Sequence, residues 1–131
     1  MAKKVLIVED NELNLRLFRD LLEAHGAEVR TVRDAREALG AIRSFLPQLV
    51  IMDIQLPHIS GVELIRLMKA EATLDSILVM AVTAYAGKGD ENRVRQAGAD
   101  AYVSKPISVS RFVSAVESLA GPLGEGFKRA S

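Results

Sequence analysis

Short apolar runs recur along the chain, separated by longer stretches in which apolar residues are spaced three or four positions apart. Four of the short runs are nearly continuous and rich in aliphatic residues, which is typical of strands covered on both faces in a parallel sheet. The fifth run alternates apolar and polar residues, which favours an edge strand. The predicted strands are residues 5–8, 28–32 (the alternating run), 49–52, 77–82 and 101–103.

Helical spacing of apolar residues between these runs predicts the other half of the fold. Capping signals agree, because Asp34 with Glu37 and Ser60 with Glu63 have the spacing of a capping box. Glycines at 26 and 98 follow the first helix and a fourth helix predicted over 90–96. The apolar stripes predicted to face the sheet are Leu15, Phe18 and Leu22; Ala35, Ala38, Leu39 and Ile42; Leu64, Leu67 and Met68; and Phe112, Val113, Val116, Leu119 and Ala120.

Strand and helix therefore alternate five times, which predicts an α/β fold with a doubly wound, five-stranded parallel sheet and five helices. In such open sheets ligands bind at the carboxyl ends of the strands, near a topological switch point. We expect one domain over residues 1–120. The following residues, 121–131, are rich in glycine and are expected to form a flexible C-terminal tail.

Composition narrows the range of functions. The 131 residues carry 17 basic and 17 acidic side chains and no cysteine. A balanced charge gives no reason to expect nucleic-acid binding, and the absence of cysteine leaves only oxygen ligands or histidine for a metal. The apolar run at 5–8 is too short for a signal peptide, and no run is long enough to insert in a membrane. We expect a cytoplasmic protein.

Polar residues that can take part in catalysis or metal binding follow the ends of the predicted strands. Glu9 and Asp10 follow the first strand, Asp53 the third and Thr83 the fourth, while Lys105 lies just beyond the fifth. Carboxylates gathered at one sheet edge repel one another unless a cation neutralises them. Oxygen ligation favours Mg²⁺, with Asp10 and Asp53 as direct ligands.

The same arrangement suits phosphoryl transfer to Asp53. A carboxylate nucleophile in such a reaction needs positioning and charge neutralisation more than a general base. Mg²⁺ and Lys105 would neutralise the phosphoryl oxygens, and the Thr83 hydroxyl could donate to them. The backbone N–H groups of Ile54 and Ala84 are further candidate donors.

Each residue alone also has an ordinary structural explanation. Asp10 and Asn11 could cap a helix, Asp53 could belong to a turn, Thr83 could fill a strand end, and Lys105 could be a solvated surface residue. Their convergence on one sheet edge favours the functional interpretation.

Four segments form a recognisable set: VLIVEDN at 5–11, MDIQLP at 52–57 with Gly61, VTA at 82–84 and YVSKP at 102–106. Together they resemble the response-regulator receiver family, and the resemblance spans residues 4 to about 119. The segments EDNELN at 9–14, DIQLP at 53–57 and KGDE at 88–91 look most like the DivK-type single-domain regulators of bacterial cell division within that family.

The resemblance implies a flavodoxin-like receiver fold with strand order 2-1-3-4-5 and a phosphoacceptor switch rather than an enzyme with an external substrate. Asp53 would accept phosphoryl from a histidine kinase or a histidine phosphotransfer protein. Asp10, Asp53 and the Gln55 carbonyl would ligate Mg²⁺, and Glu9 would act through water. Glu9 stands where many members carry aspartate.

The resemblance also implies how the signal would leave the site. Thr83 and Tyr102 would be the switch residues, and a cis peptide between Lys105 and Pro106 would aim the lysine at the site. Downstream signalling proteins would bind the face formed by helix 4, strand 5 and helix 5, with the protein a monomer or weak dimer.

Three other kinds of protein could carry part of this pattern. An aspartyl-phosphate phosphatase would need a second aspartate two residues after Asp53, where Gln55 stands. A flavodoxin-like cofactor binder would want a phosphate-cradling loop after the first strand, where Glu9 and Asp10 would repel phosphate. The receiver module of a hybrid histidine kinase has very similar local motifs, and we expect a stand-alone protein from the Met1 start and the short tail.

Overall fold

A computed structural model describes residues 2–83, 90–104 and 108–124, with only the backbone of Asp90 described. The strands are β1 (Lys4–Val8), β2 (Glu28–Val32), β3 (Leu49–Asp53), β4 (Leu78–Thr83) and β5 (Ala101–Ser104). The helices are α1 (Glu12–Ala24), α2 (Ala38–Phe45), α3 (Gly61–Ala70), α4 (Asp90–Ala97) and α5 (Val109–Ala120), with a 3-10 turn at Ala35–Glu37. No helix within the described ranges combines the length and apolar character needed to cross a membrane.

The five strands form one parallel sheet in the order β2-β1-β3-β4-β5, which confirms the predicted fold. Because the chain passes from β1 outward to β2 and then back to β3, the winding reverses beside β1 and β3. Val8 at the end of β1 pairs with Met52, and Asp53 at the end of β3 pairs with Val82. The carboxyl ends of β1, β3 and β4 therefore lie side by side at the switch point.

Two apolar layers enclose the sheet, because successive strand residues point to opposite faces. Leu6 and Val8 face the layer built with α2, α3 and α4, whereas Val5 and Ile7 face the layer built with α1 and α5. All five residues of β3 are buried. The strand that ends in Asp53 is thus fixed from both sides.

Two details of the helices differ from the prediction. Leu67 was expected to face the sheet but is 38% exposed, because Leu64 and Met68 already occupy the buried face of α3. The capping box of Asp34 with Glu37 is not formed. Asp34 instead accepts a hydrogen bond from the Arg36 N–H at 2.9 Å and caps the 3-10 turn. Ser60 does cap α3, since its hydroxyl accepts from the backbone N–H of Glu63.

Residues 121–124, directly after α5, remain packed on the domain. Leu123 is 1% exposed, and its carbonyl accepts a hydrogen bond from the Lys3 N–H at 2.7 Å. The expected boundary after residue 120 is therefore too early, because an isolated leucine among glycines reaches the core. The rest of the predicted flexible tail (121–131), residues 125–131, lies outside the described residues.

Candidate functional site

Three of the predicted site residues come from neighbouring strand ends. Glu9 directly follows β1, while Asp53 and Thr83 are the last residues of β3 and β4. All three are largely buried, with exposed fractions of 1%, 7% and 2%. A buried polar side chain is stable only when it has hydrogen-bonding or charged partners. These three residues therefore differ from ordinary polar residues on the surface.

Glu9, Asp10 and Asp53 form an acidic cluster. Each offers one carboxylate oxygen, and these oxygens all lie within 4.8 Å of one another. A hard divalent cation with oxygen ligands fits this donor set, and Mg²⁺ commonly uses one or two carboxylates and keeps several waters. Asp10 is the more solvent-accessible member. The cluster can therefore hold a small cation with one side open to solvent.

Backbone N–H groups orient two members of the acidic cluster. The N–H of Asn11 donates to Glu9 Oε2 at 3.2 Å, and the N–H of Gln55 donates to Asp53 Oδ1 at 2.9 Å. The loops that follow β1 and β3 thus hold the carboxylates in position.

The helix-capping explanation applies to Asn11 rather than Asp10. Asn11 precedes α1, and its side-chain oxygen accepts from the N–H of Asn14 at 3.0 Å. This satisfies an N–H that the first helical turn leaves unpaired. The carboxylate of Asp10 is consequently available to the acidic cluster.

The role predicted for the Ile54 N–H is wrong. That N–H donates to the carbonyl of Val82 at 3.0 Å and so extends the hydrogen bonding between β3 and β4. Its single hydrogen is thereby occupied. The N–H of Gln55, which the sequence analysis missed, points at the Asp53 carboxylate instead. No sequence signal distinguishes the two amides, since the choice depends on how β3 ends.

Gly61, which the sequence offers only as part of the family resemblance, has a structural role that the folded chain reveals. A Cβ at this first position of α3 would lie 2.7 Å from the carbonyl oxygen of Asp53 and 2.8 Å from the Cα of Ile54. The Gly61 N–H also donates to the Ile54 carbonyl at 3.1 Å. The start of α3 is therefore seated directly on the backbone of the site.

The remaining predicted residues are only partly placed by the structure. Tyr102 lies in β5 opposite Ala81 and is partly buried against the layer of α2, α3 and α4. Ala84, Lys105 and Pro106 lie outside the described residues. Their predicted contributions, including the cis peptide, stay predictions.

A cleft of about 300 Å³ opens beside Asp10. Its other walls come from the loops after β2 and β3, which contribute Arg33, Asp34, Pro57 and His58 among others. Arg33 and His58 line the same cleft as Asp10, a feature that only the folded chain reveals. The cleft extends the accessible side of the candidate site.

Replacing Arg36 with glutamine is expected to raise the pKa of Asp34. The side chain of Arg36 forms two close hydrogen bonds to this carboxylate and, with its own backbone N–H, lowers the pKa to about 2. In Arg36→Gln the pKa should move toward the usual value of about 3.9. The measurement is the midpoint of the Asp34 carboxyl ¹³C resonance in a pH titration.

The sign of the linked stability follows from this lowered pKa. The Asp34 carboxylate contributes stability above the unfolded-state pKa, and that contribution disappears as the pH falls toward 2. Arg33→Gln is a matched control, because Arg33 lines the same cleft but does not lower this pKa. An unchanged midpoint in Arg36→Gln would contradict the assignment.

Comparison with known proteins gives a consistent family match. A model of the response regulator receiver domain matches residues 5–117. The chain is 54% identical over 121 residues to the polar-differentiation response regulator DivK of Brucella ovis, covering 92% of this chain and 98% of the relative.

Solved structures agree on the architecture. A CheY-like response regulator receiver domain protein from Methanospirillum hungatei is 31% identical, with a TM-score of 0.83 over 90% of this chain and 93% of the other. The receiver domain of a sensor histidine kinase from Pseudomonas aeruginosa is 26% identical, with a TM-score of 0.84 over 92% and 99% of the two chains. In that structure a magnesium ion is coordinated in the active-site cleft.

Proposed function

Since the chain belongs to the response regulator receiver domain family, we propose that it is a phosphorelay switch whose Asp53 accepts a phosphoryl group in a Mg²⁺-dependent reaction. The acidic cluster of Glu9, Asp10 and Asp53 is the observation that carries this proposal. Two of its carboxylates are suited to a metal, and the third residue of the cluster, Glu9, would act through water. Asp53, at the end of the most deeply buried strand, is the nucleophile.

In the proposed reaction, Asp53 attacks the phosphorus of a phosphohistidine on a histidine kinase or histidine phosphotransfer protein. A bond forms between an Asp53 carboxylate oxygen and phosphorus, and the phosphorus–nitrogen bond breaks with its electron pair staying on the imidazole. Bound Mg²⁺ would offset the charge on the phosphoryl oxygens. Asp10, Asp53 and the Gln55 carbonyl would hold the ion.

Donors on this chain would bind the transferred group. The Gln55 N–H already donates to the Asp53 carboxylate, so it is positioned for an oxygen of an acyl phosphate. The Thr83 hydroxyl is at the end of the adjacent strand, and Lys105 and the Ala84 N–H complete the proposed set. Preorganised donors of this kind stabilise charge without moving during the reaction.

The output would be protein binding. Thr83 and Tyr102 would respond to phosphorylation, and the face formed by α4, β5 and α5 would bind downstream signalling proteins. The relation to DivK favours a role in cell-cycle or cell-division control within the cytoplasm, with the protein a monomer or weak dimer. On this proposal the chain catalyses only its own phosphorylation and dephosphorylation.

The test is to incubate the protein with acetyl phosphate, with and without Mg²⁺, and to measure its intact mass. We expect one added phosphoryl group that requires Mg²⁺ and is absent from Asp53→Ala. Asp34→Ala is the matched control, because this carboxylate lines the neighbouring cleft but stands outside the acidic cluster. Equal labelling of Asp53→Ala, or labelling without metal, would refute the proposal.

A further inference from the structure

We propose that Gly121–Gly124 forms a conformational device, here called the C-terminal clasp, which fastens the end of α5 to the start of β1 and to the turn between α1 and β2. Opening of the clasp would free the end of α5 while the sheet and the Asp53 site stay folded. This inference concerns the fold's own flexibility and goes beyond the proposed phosphorylation.

The clasp begins with a sharp change of direction. Helix α5 ends at Ala120, and the N–H of Gly121 still donates to the Glu117 carbonyl at 2.8 Å. Gly121 has φ +82°, a left-handed conformation that side chains with a Cβ rarely adopt. The chain therefore leaves the helix axis at once and crosses toward α1.

Leu123 anchors the crossing segment in the core. It is 1% exposed and belongs to the apolar layer of α1 and α5, together with Phe18, Leu22 and Val116. Its carbonyl accepts the 2.7 Å hydrogen bond from the Lys3 N–H, one residue before β1. A single side chain thus holds the end of the last helix against the beginning of the sheet.

A contact between two glycine backbones closes the clasp. A Cβ on Gly124 would lie 2.3 Å from the carbonyl oxygen of Gly26 and 2.7 Å from its carbonyl carbon. Gly26 itself has φ +93° in the turn between α1 and β2. No side chain fits at Gly124 unless the two segments separate, so this position is the natural place to open the clasp.

The location of the clasp separates it from the phosphoacceptor chemistry. Lys3 and the turn at Gly26 lie at the amino-terminal edge of β1 and β2, whereas Asp53 ends β3 at the opposite edge. All five residues of β3, and the last four residues of β1, are buried between these two edges. Of residues 121–124 only Leu123 is buried, and peripheral segments with few core contacts open at lower free energy than the central sheet, so this segment and the end of α5 that it holds can loosen first.

The experiment compares Gly124→Ala with Gly40→Ala in the full-length chain, using amide hydrogen exchange followed by NMR. The Gly40 variant is the matched control, since its Cβ would meet nothing within 4 Å. In Gly124→Ala we expect exchange at Lys3 and over the last turns of α5 to accelerate by about tenfold or more, while exchange in β3 is unchanged. Leu123→Ala should accelerate the same amides by removing the anchor.

Acetyl phosphate labelling provides the second readout. We expect Gly124→Ala to be labelled as fully as the unmodified protein, because the clasp lies at the far edge of the sheet. Acceleration spread evenly into β3, or no acceleration in either clasp variant, would overturn the inference. Failure of the unmodified protein to label would count against the proposed function and leave the exchange result standing.

Discussion

Asp10→Asn is expected to make the metal-free protein more stable and to abolish its stabilisation by Mg²⁺. In the absence of a cation the three carboxylates of the acidic cluster repel one another across distances of at most 4.8 Å. Removing one charge should raise the free energy of unfolding by roughly 1 kcal/mol, a value reduced for the solvent exposure of Asp10. The same substitution removes one of the proposed metal ligands.

Urea unfolding with EDTA and with Mg²⁺ measures both effects. At an ion concentration about 100 times the dissociation constant, the unmodified protein should gain about 2.7 kcal/mol, and Asp10→Asn should gain almost none. Asp20→Asn is a suitable control, because Asp20 lies on α1 outside the acidic cluster. Equal gains in the Asp10 variant and the unmodified protein would place the ion elsewhere.

Gly61→Ala should destabilise the fold and slow phosphorylation at the same time. The added Cβ would meet the Asp53 carbonyl oxygen at 2.7 Å and the Ile54 Cα at 2.8 Å, and both of these atoms belong to backbone that cannot rotate away. Either α3 shifts outward or the end of β3 moves. Overpacking of this kind costs about 1–3 kcal/mol, and the displaced Asp53 would react more slowly with acetyl phosphate.

Urea unfolding gives the stability change of the Gly61 variant, and the initial rate of labelling gives the chemical effect. Gly40→Ala again provides the comparison, since alanine is favoured over glycine in the open interior of α2 and should stabilise it slightly. A Gly61→Ala protein with unaltered stability and rate would show that the contact between α3 and β3 is unimportant.

The fold was predictable from the sequence because periodicity reports burial. Every strand lies within one residue of its predicted bounds, since continuous apolar runs occur only where both faces are covered. The choice between neighbouring side chains as hydrogen-bond partners was less predictable. Asp34 binds the nearby Arg36 instead of completing a capping box with Glu37, and spacing alone does not rank these two partners.

The acidic cluster was also predictable, because parallel strands deliver their ends to one edge. The sequence did not predict which backbone N–H groups point at this cluster. Whether the Ile54 or the Gln55 N–H faces Asp53 depends on the residue at which β3 stops pairing with β4. Contacts between residues far apart in the sequence were also not predictable, because they too depend on the path of the backbone. The burial of Leu123 follows from the path after Gly121, and a glycine-rich composition conceals it.

Two adjacent residues divide the work at the start of α1, with Asn11 capping the helix and Asp10 facing the acidic cluster. The first turn of α1 therefore keeps its cap whether a cation is present or not. A change in Mg²⁺ concentration would therefore alter the reactivity of Asp53 without unwinding the adjacent helix α1. The metal-free protein would thus await its cation with the first turn of α1 already folded.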